Sequence, residues 1–161
     1  MSFQVVLRPV TESDLPTLFA HQDDPVVRAM GVIPHRAREE FFQKWKEVLA
    51  DTQFAKQSIW VDEQLVGNMV CFLRDGVHEI GYVVGRDHWG KGIASAALAQ
   101  FLPLISHLPR PITARVVKHN FASLRVLQKN GFLIVAEMTE TDPQGRHIPE
   151  FRLSLAEEPN Q

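Results

Sequence analysis

A strand that runs into a loop with two closely spaced glycines, and out of it into an apolar helix, constrains this chain more than any other feature. Val77 to Val84 alternates and is rich in valine. Gly85-Arg86-Asp87-His88-Trp89-Gly90-Lys91-Gly92 follows, and an apolar helix candidate continues from Ile93 to about Ile105. Glycine permits positive φ and lets backbone N–H groups come close to a ligand. The first turn of the new helix presents N–H groups without intrahelical partners, at the positive end of its dipole. Such a junction is either an anion site, with pyrophosphate its usual occupant, or a tight strand-to-helix turn that binds nothing. This segment alone leaves both readings open.

The rest of the chain fits around the junction as an α/β domain. Phe3 to Arg8 reads as a strand. Thr11 caps a helix with Leu15, Leu18 and Phe19 on one face, and Asp23 to Arg36, with Pro25, Gly31 and Pro34, reads as irregular chain. A second helix is expected from about Arg38 to Ala50. Gln57 to Val61, Gln64 to Leu73 and Val77 to Val84 read as strands with turns at Asp62-Glu63 and Arg74-Asp75-Gly76, an antiparallel meander. Pro103 is expected to kink or shorten the helix that starts at Ile93. Ile112 to Val117 is a strand, and Asn120 to Asn130 a helix stopped by Gly131. Phe132 to Met138 and Phe151 to Leu155 are two more strands, joined through Asp142-Pro143-Gln144-Gly145. The expected order is βααβββαβαββ: one domain over residues 1–156, a mixed, mostly antiparallel sheet with one βαβ unit at its centre, then a polar tail over 157–161.

Composition narrows the function. With 17 Lys and Arg against 19 Asp and Glu the net charge is −2, so a broad basic footprint for nucleic acid is not expected. A single cysteine, Cys71, excludes an internal disulfide and a Cys-based zinc site, and the seven histidines show no metal spacing, so no metal is expected. The opening MSFQVVLRPV has no basic stretch followed by an apolar one, and no apolar run approaches the ~20 residues of a membrane span. A cytoplasmic protein without membrane contact is therefore expected. Gly85 to Lys91 fits the lead of a P-loop, yet Gly92 stands where a Ser or Thr should hold Mg²⁺. Gly90-x-Gly92-x-x-Ser95 imitates a dinucleotide fingerprint but lacks its third glycine, and no acid follows about 20 residues on.

Asn120-Phe121-Ala122-Ser123, and then Val126-Leu127-Gln128-Lys129-Asn130-Gly131-Phe132, lie just after the next strand. With these residues the sequence resembles the GCN5-related N-acetyltransferase (GNAT) family over nearly its whole length. Trp89 to Ala94 is similar to that family's Q/R-x-x-G-x-G/A pyrophosphate loop, with Gly92 and Ala94 at the fourth and sixth positions. Asn120 to Phe132 is similar to its N-x-x-S helix ending in K-x-G-F. The Glu79-Ile80-Gly81-Tyr82 strand, the spacing and the element order agree. Within the family the sequence resembles the subgroup that acetylates ribosomal-protein N-termini and, in relatives, small amines or antibiotics. It departs from the pattern twice. Trp89 replaces the Gln or Arg, as often in that subgroup, and Leu127 stands where many members carry a Tyr that protonates the leaving thiolate.

The resemblance implies acetyl-CoA as cosubstrate, an amine as acceptor, and a fold whose fourth strand splays from the strand after the central helix. Pantetheine would lie in that gap and bond the backbone near Val83 and Val84. The N–H groups of Trp89, Gly90, Lys91, Gly92, Ile93 and Ala94 would hold the pyrophosphate; Lys91 adds charge there or is a solvated surface lysine. The chemistry asks for a base, a fixed donor for the oxyanion, a partner for the thiolate, and two substrates held together. A backbone N–H of the fourth strand would be the oxyanion donor. Glu79 is the first candidate base, against the alternative of a strand carboxylate paired with a basic neighbour; Glu140 is the second. Ser123 is the candidate partner of the thiol, or a helix hydroxyl bonded to the preceding turn. Asn120 is a CoA partner, a helix N-cap, or part of both. Tyr82 is read as packing beside the cleft, Cys71 as a buried inert thiol, and Trp45 and Trp60 as core. Acceptor choice is expected in Asp23 to His35 and Thr139 to His147, which suit a cationic amine or a peptide N-terminus. Exposed strand edges lead to the expectation of a homodimer. The alternative reading is a non-catalytic acyl-CoA-binding module on the same fold, to which Leu127 lends weight.

Overall fold

The computed structural model describes residues 3–31, 35–142 and 144–155; the polar tail expected over 157–161 lies outside them. Strand β1 (Val5–Pro9) leads to a capping box in which the Thr11 N–H donates to Asp14 Oδ2 at 2.9 Å. A 3₁₀ turn, Glu12–Asp14, then runs into α1 (Leu15–Gln22). A short helix, α2 (Pro25–Ala29), forms where the sequence suggested irregular chain, so the observed order carries one helix more than expected. Asp24 Oδ1 accepts from the Val26 N–H at 2.9 Å and Pro25 stands at the first helical position. A proline there starts a helix instead of breaking one.

In α3 (Arg38–Ala50) Phe41, Trp45 and Val48 recur at helical spacing and are buried. The meander is β2 (Ala55–Val61), β3 (Gln64–Arg74) and β4 (Val77–Val84); α4 (Ile93–Leu104), β5 (Ile112–Val117), α5 (Phe121–Lys129), β6 (Leu133–Thr141) and β7 (His147–Leu155) complete the chain. Pro103 lies in the last turn of α4, which ends one residue later. The last hairpin is longer than the sequence suggested. Pro149, two residues before the expected strand start at Phe151, lies in the ladder opposite Thr139, and its carbonyl accepts the Lys118 N–H at 2.9 Å.

The sheet has seven strands in the order β1-β2-β3-β4-β5-β7-β6, and β4–β5 is its one parallel pair. On one face Ala97, Leu98 and Phe101 of α4 and Leu127 of α5 pack onto Ile59, Met69, Ile80, Ala114 and Leu153 of the sheet. On the other, α1 and α3 pack through Leu15, Leu18, Phe41 and Trp45 onto Leu65. Leu98 is fully buried, and truncating such a side chain to alanine costs about 2–5 kcal/mol. Trp60, expected in the core, is half-buried: its indole donates to Ser58 Oγ at 2.8 Å and the Arg8 guanidinium lies 4.5 Å from its ring centroid.

Strands β4 and β5 pair only through His78↔Ile112, Glu79↔Thr113 and Ile80↔Ala114. Beyond Ile80, β4 stays with β3 as far as Gly67↔Val84, while β5 stays with β7 as far as Val117↔Glu150. Two strands that start side by side therefore part, each keeping its outer neighbour. This is the splaying that the resemblance implied, and it leaves two unpaired backbone edges facing each other in the middle of the sheet.

Candidate active site

The loop after β4 is pinned at its start. The Gly85 N–H donates to the Val66 carbonyl at 2.8 Å, and a 3₁₀ turn, Arg86–His88, follows. The Trp89 N–H donates to the Arg86 carbonyl at 3.2 Å and its indole Nε1 to the Val84 carbonyl at 2.7 Å, so Trp89 ties the loop to the end of β4. Gly90 and Gly92 have φ of 75° and 79°, and among the described residues a Cβ on either would meet nothing within 4 Å. Glycine is required there by the backbone, and the space above it is open. Among the described residues the N–H groups of Gly90, Lys91, Gly92, Ile93, Ala94 and Ser95 have no hydrogen-bond partner; the next, Ala96, donates to the Gly92 carbonyl at 3.1 Å. A run of free N–H groups around two left-handed glycines, at a helix N-terminus, is a cradle for an anion. Trp89 spends its own N–H inside the loop.

The gap beside this loop has a defined edge. Because the Gly85 N–H points to Val66, strand alternation turns the backbones of Val83 and Gly81 toward β3, and those of Tyr82 and Val84 toward the gap. The His78 carbonyl, which accepts from Thr113 Oγ1 at 3.0 Å, lies on that same edge. Of the two residues expected along pantetheine, Val84 thus faces the gap and Val83 pairs with Asn68; Tyr82 joins Val84.

On the sheet face opposite α4 and α5, one guanidinium joins the two candidate bases. Arg115 Nη1 donates to Glu140 Oε1 at 2.7 Å, and Arg115 Nε lies 3.3 Å from Glu79 Oε1. That N–H is not aimed at an acceptor, so the second contact is Coulombic. Arg74 Nη2 lies 3.5 Å from Glu79 Oε2. Burial pushes the Glu79 carboxyl up from its ordinary value. Arg74, Arg115 and Arg152 pull it down, Glu140 pushes it up, and the balance is upward. A carboxyl raised in this way is suited to accept a proton at neutral pH.

Glu150 escaped the sequence reading, which began the last strand at Phe151. It lies on the same face, opposite Val117 at the open end of the gap. It is 5% exposed, and among the described residues its Oε1 has no hydrogen-bond partner and no cation pairs with it. Burial pushes its carboxyl up, Glu140 adds to this, and Arg115 opposes it. The signal was the alternation that places Ile148, Glu150, Arg152 and Ser154 on one face of a strand longer than the expected Phe151 to Leu155.

Across the gap, Tyr82 Oη lies 2.5 Å from Ser123 Oγ, on the first turn of α5. Asn120 caps that helix, its Oδ1 accepting from the Ser123 N–H at 3.1 Å while its Nδ2 donates to the Met30 carbonyl at 2.8 Å. Both ends of the Asn120 amide are thereby engaged. His119 Nε2 lies 3.1 Å from the Ala29 carbonyl, so the expected acceptor loop is fastened to the start of α5; its residues 32–34 lie outside those described. Leu127 is buried in the core at 1% exposure. Cys71 is buried too, its thiol pushed up to about 11 by burial and then by Glu79.

Residues 4–133 match the acetyltransferase (GNAT) domain family. The chain belongs to that family, whose members use acetyl-CoA, and is an acyltransferase. An "uncharacterized N-acetyltransferase p20" of Bacillus licheniformis is 31% identical over 170 residues, covering 94% of this chain and 92% of the relative. Two solved structures with named acceptors share the fold. The spermidine N-acetyltransferase of Vibrio cholerae, in complex with CoA and spermine, superposes with a TM-score of 0.82 at 18% identity, over 94% of each chain. The ribosomal-protein-alanine N-acetyltransferase of Brucella melitensis does so with a TM-score of 0.78 at 21% identity, over 92% of this chain and 98% of the other.

Proposed function

We propose that this chain moves an acetyl group from acetyl-CoA to a primary amine, a protein N-terminus or a small-molecule amine, by direct attack with a carboxylate as base. The observation that carries the reading is the parting of β4 from β5 beyond Ile80, beside the free N–H groups of Gly90 to Ser95. One long ligand with an anionic end and an amide-rich arm fits both at once. The N–H groups of the loop hold the phosphates, with Lys91 adding charge. The gap edge of β4, near Val84, bonds the arm, and one of its N–H groups faces the oxyanion. Glu79, with Glu140 as the second candidate, takes the proton of the acceptor's ammonium, and Ser123 meets the departing sulfur.

The acceptor class is supported by the acids on that face and by the two structural neighbours named for spermidine and for a ribosomal protein. The ribosomal-protein-type subgroup, a homodimer and a cytoplasmic setting belong to the same reading. No described helix is long and apolar enough to cross a membrane. A second reading, a non-catalytic acyl-CoA-binding module, is favoured by Leu127, whose buried side chain offers the thiolate no proton.

Release of free thiol from acetyl-CoA, with a polyamine and an alanine-initiated peptide as acceptors, tests both. A catalyst turns over, and Glu79→Gln or Glu140→Gln lowers kcat by about 100-fold or more with acetyl-CoA affinity kept. Acetyl-CoA binding with no thiol release from any amine would leave the binding module in its place.

A further inference from the structure

Tyr82 is the sole tyrosine of the chain, and its side chain leaves β4 on the face covered by α4 and α5. Among the described residues its Oη has one close partner, Ser123 Oγ, and lies 3.5 Å from the Ser123 carbonyl. Ser123 is itself fixed, since Asn120 holds its N–H and Met30 holds Asn120. Each hydroxyl has one hydrogen, so only one of them donates across the 2.5 Å contact. If Ser123 donated, the phenol hydrogen would be left with the distant carbonyl. If Tyr82 donates, the phenol is satisfied and the serine hydrogen is free.

We propose that Tyr82 is a positioning residue for acyl transfer: it donates to Ser123 Oγ and thereby turns the Ser123 hydrogen to the sulfur of the leaving CoA. The inference rests on the acetyltransferase reading above and explains how Ser123 serves in the absence of a tyrosine at position 127. The amine nitrogen forms its bond to the acyl carbon, the C–S bond breaks, and the electron pair stays on sulfur. The ammonium's first proton goes to the carboxylate base, and the second, shed by nitrogen on collapse, ends on sulfur. Tyr82 gives up none. Its phenol is pushed up to about 12 by burial, against the pull of the Ser123 bond. A thiol sits at about 8.5, so proton transfer from phenol to thiolate runs uphill. The pair is a hydrogen-bond donor of fixed direction, not an acid.

The test uses the full chain, with Tyr82→Phe, Ser123→Ala and the double variant, and with fluorotyrosine incorporated globally, which labels position 82 alone. Tyr82→Phe should lower kcat about tenfold with KM for acetyl-CoA unchanged. The double variant should be no slower than Ser123→Ala, because the phenol acts through the serine. The fluorine resonance should differ between the CoA and desulfo-CoA complexes, and lose that difference in Ser123→Ala. Fluorotyrosine enzyme, with a more acidic phenol, should keep the wild-type pH profile. A wild-type kcat in Tyr82→Phe, multiplying losses in the double variant, a basic limb that moves with fluorination, or a resonance blind to the sulfur each overturns the inference alone. Absence of CoA binding overturns the acetyltransferase reading with it.

Discussion

Replacing Gly92 by alanine separates the backbone's need for glycine from a ligand's need for the loop. At φ 79° an alanine costs about 1–2 kcal/mol, and its Cβ meets nothing, so the cost is conformational strain alone. Gly76, at φ 80° in the β3–β4 turn and equally open, is the control with the same strain and no proposed ligand. The β3–β4 ladder holds that turn on both sides, so Gly76→Ala should lose about 2–8 °C in Tm and nothing in acetyl-CoA affinity. The loop at Gly92 has room to relax. Acetyl-CoA must then restore the strained form, and its affinity should fall about 5–30-fold, a factor equal to the strain. Calorimetric titration of acetyl-CoA into both variants, with thermal unfolding of each, gives the two numbers. Equal acetyl-CoA affinity in Gly92→Ala and Gly76→Ala would refute the cradle.

Leu127→Tyr does not graft an acid onto α5: the site is packed, and the larger side chain should destabilise by about 1–3 kcal/mol, read as a lower urea midpoint, without raising kcat. Glu150 is held above its ordinary value, so the folded chain binds that proton more tightly than the unfolded one and loses stability as pH rises from about 4.5 through the folded value. Glu150→Gln removes the loss, and its Tm should gain on wild type over that window and then stay level; a gap that closes with rising pH would reverse the sign. Cys71, buried with its thiol near 11, should resist a thiol reagent at pH 8 in the native chain and react once unfolded.

The meander, the glycine junction and the helix from Phe121 were legible because each is a local matter: alternation, a positive φ, an N-cap. The helix at Pro25 and the early start of the last strand, through Pro149, were not. Proline has opposite meanings at the first position of a helix and in its interior, and which applies to Pro25 depends on whether Asp24 caps. Pro149 survives in a strand because its missing N–H is not needed where its carbonyl takes Lys118. The expected strand start at Phe151 also left Glu150 outside the sheet. The carboxylates Glu79 and Glu140 were legible as types on strands. Their shared Arg115 was not, because it depends on a register between β5, β7 and β6 that no single segment encodes. Tyr82 read as packing for the same reason: its partner lies forty-one residues away.

Three residue pairs are a short weld between two blades, β1 to β4 on one side and β5, β7 and β6 on the other. Above the weld no ladder couples them, so force passes between the blades through the apolar layer under α4 and α5, where Ala97 and Ala114 are almost wholly enclosed. Close-packed side chains transmit strain because they have no slack. A methyl group added at either alanine, far from any reacting atom, works as a shim that changes the angle between the blades. The blades should also exchange their amide hydrogens as separate cooperative units.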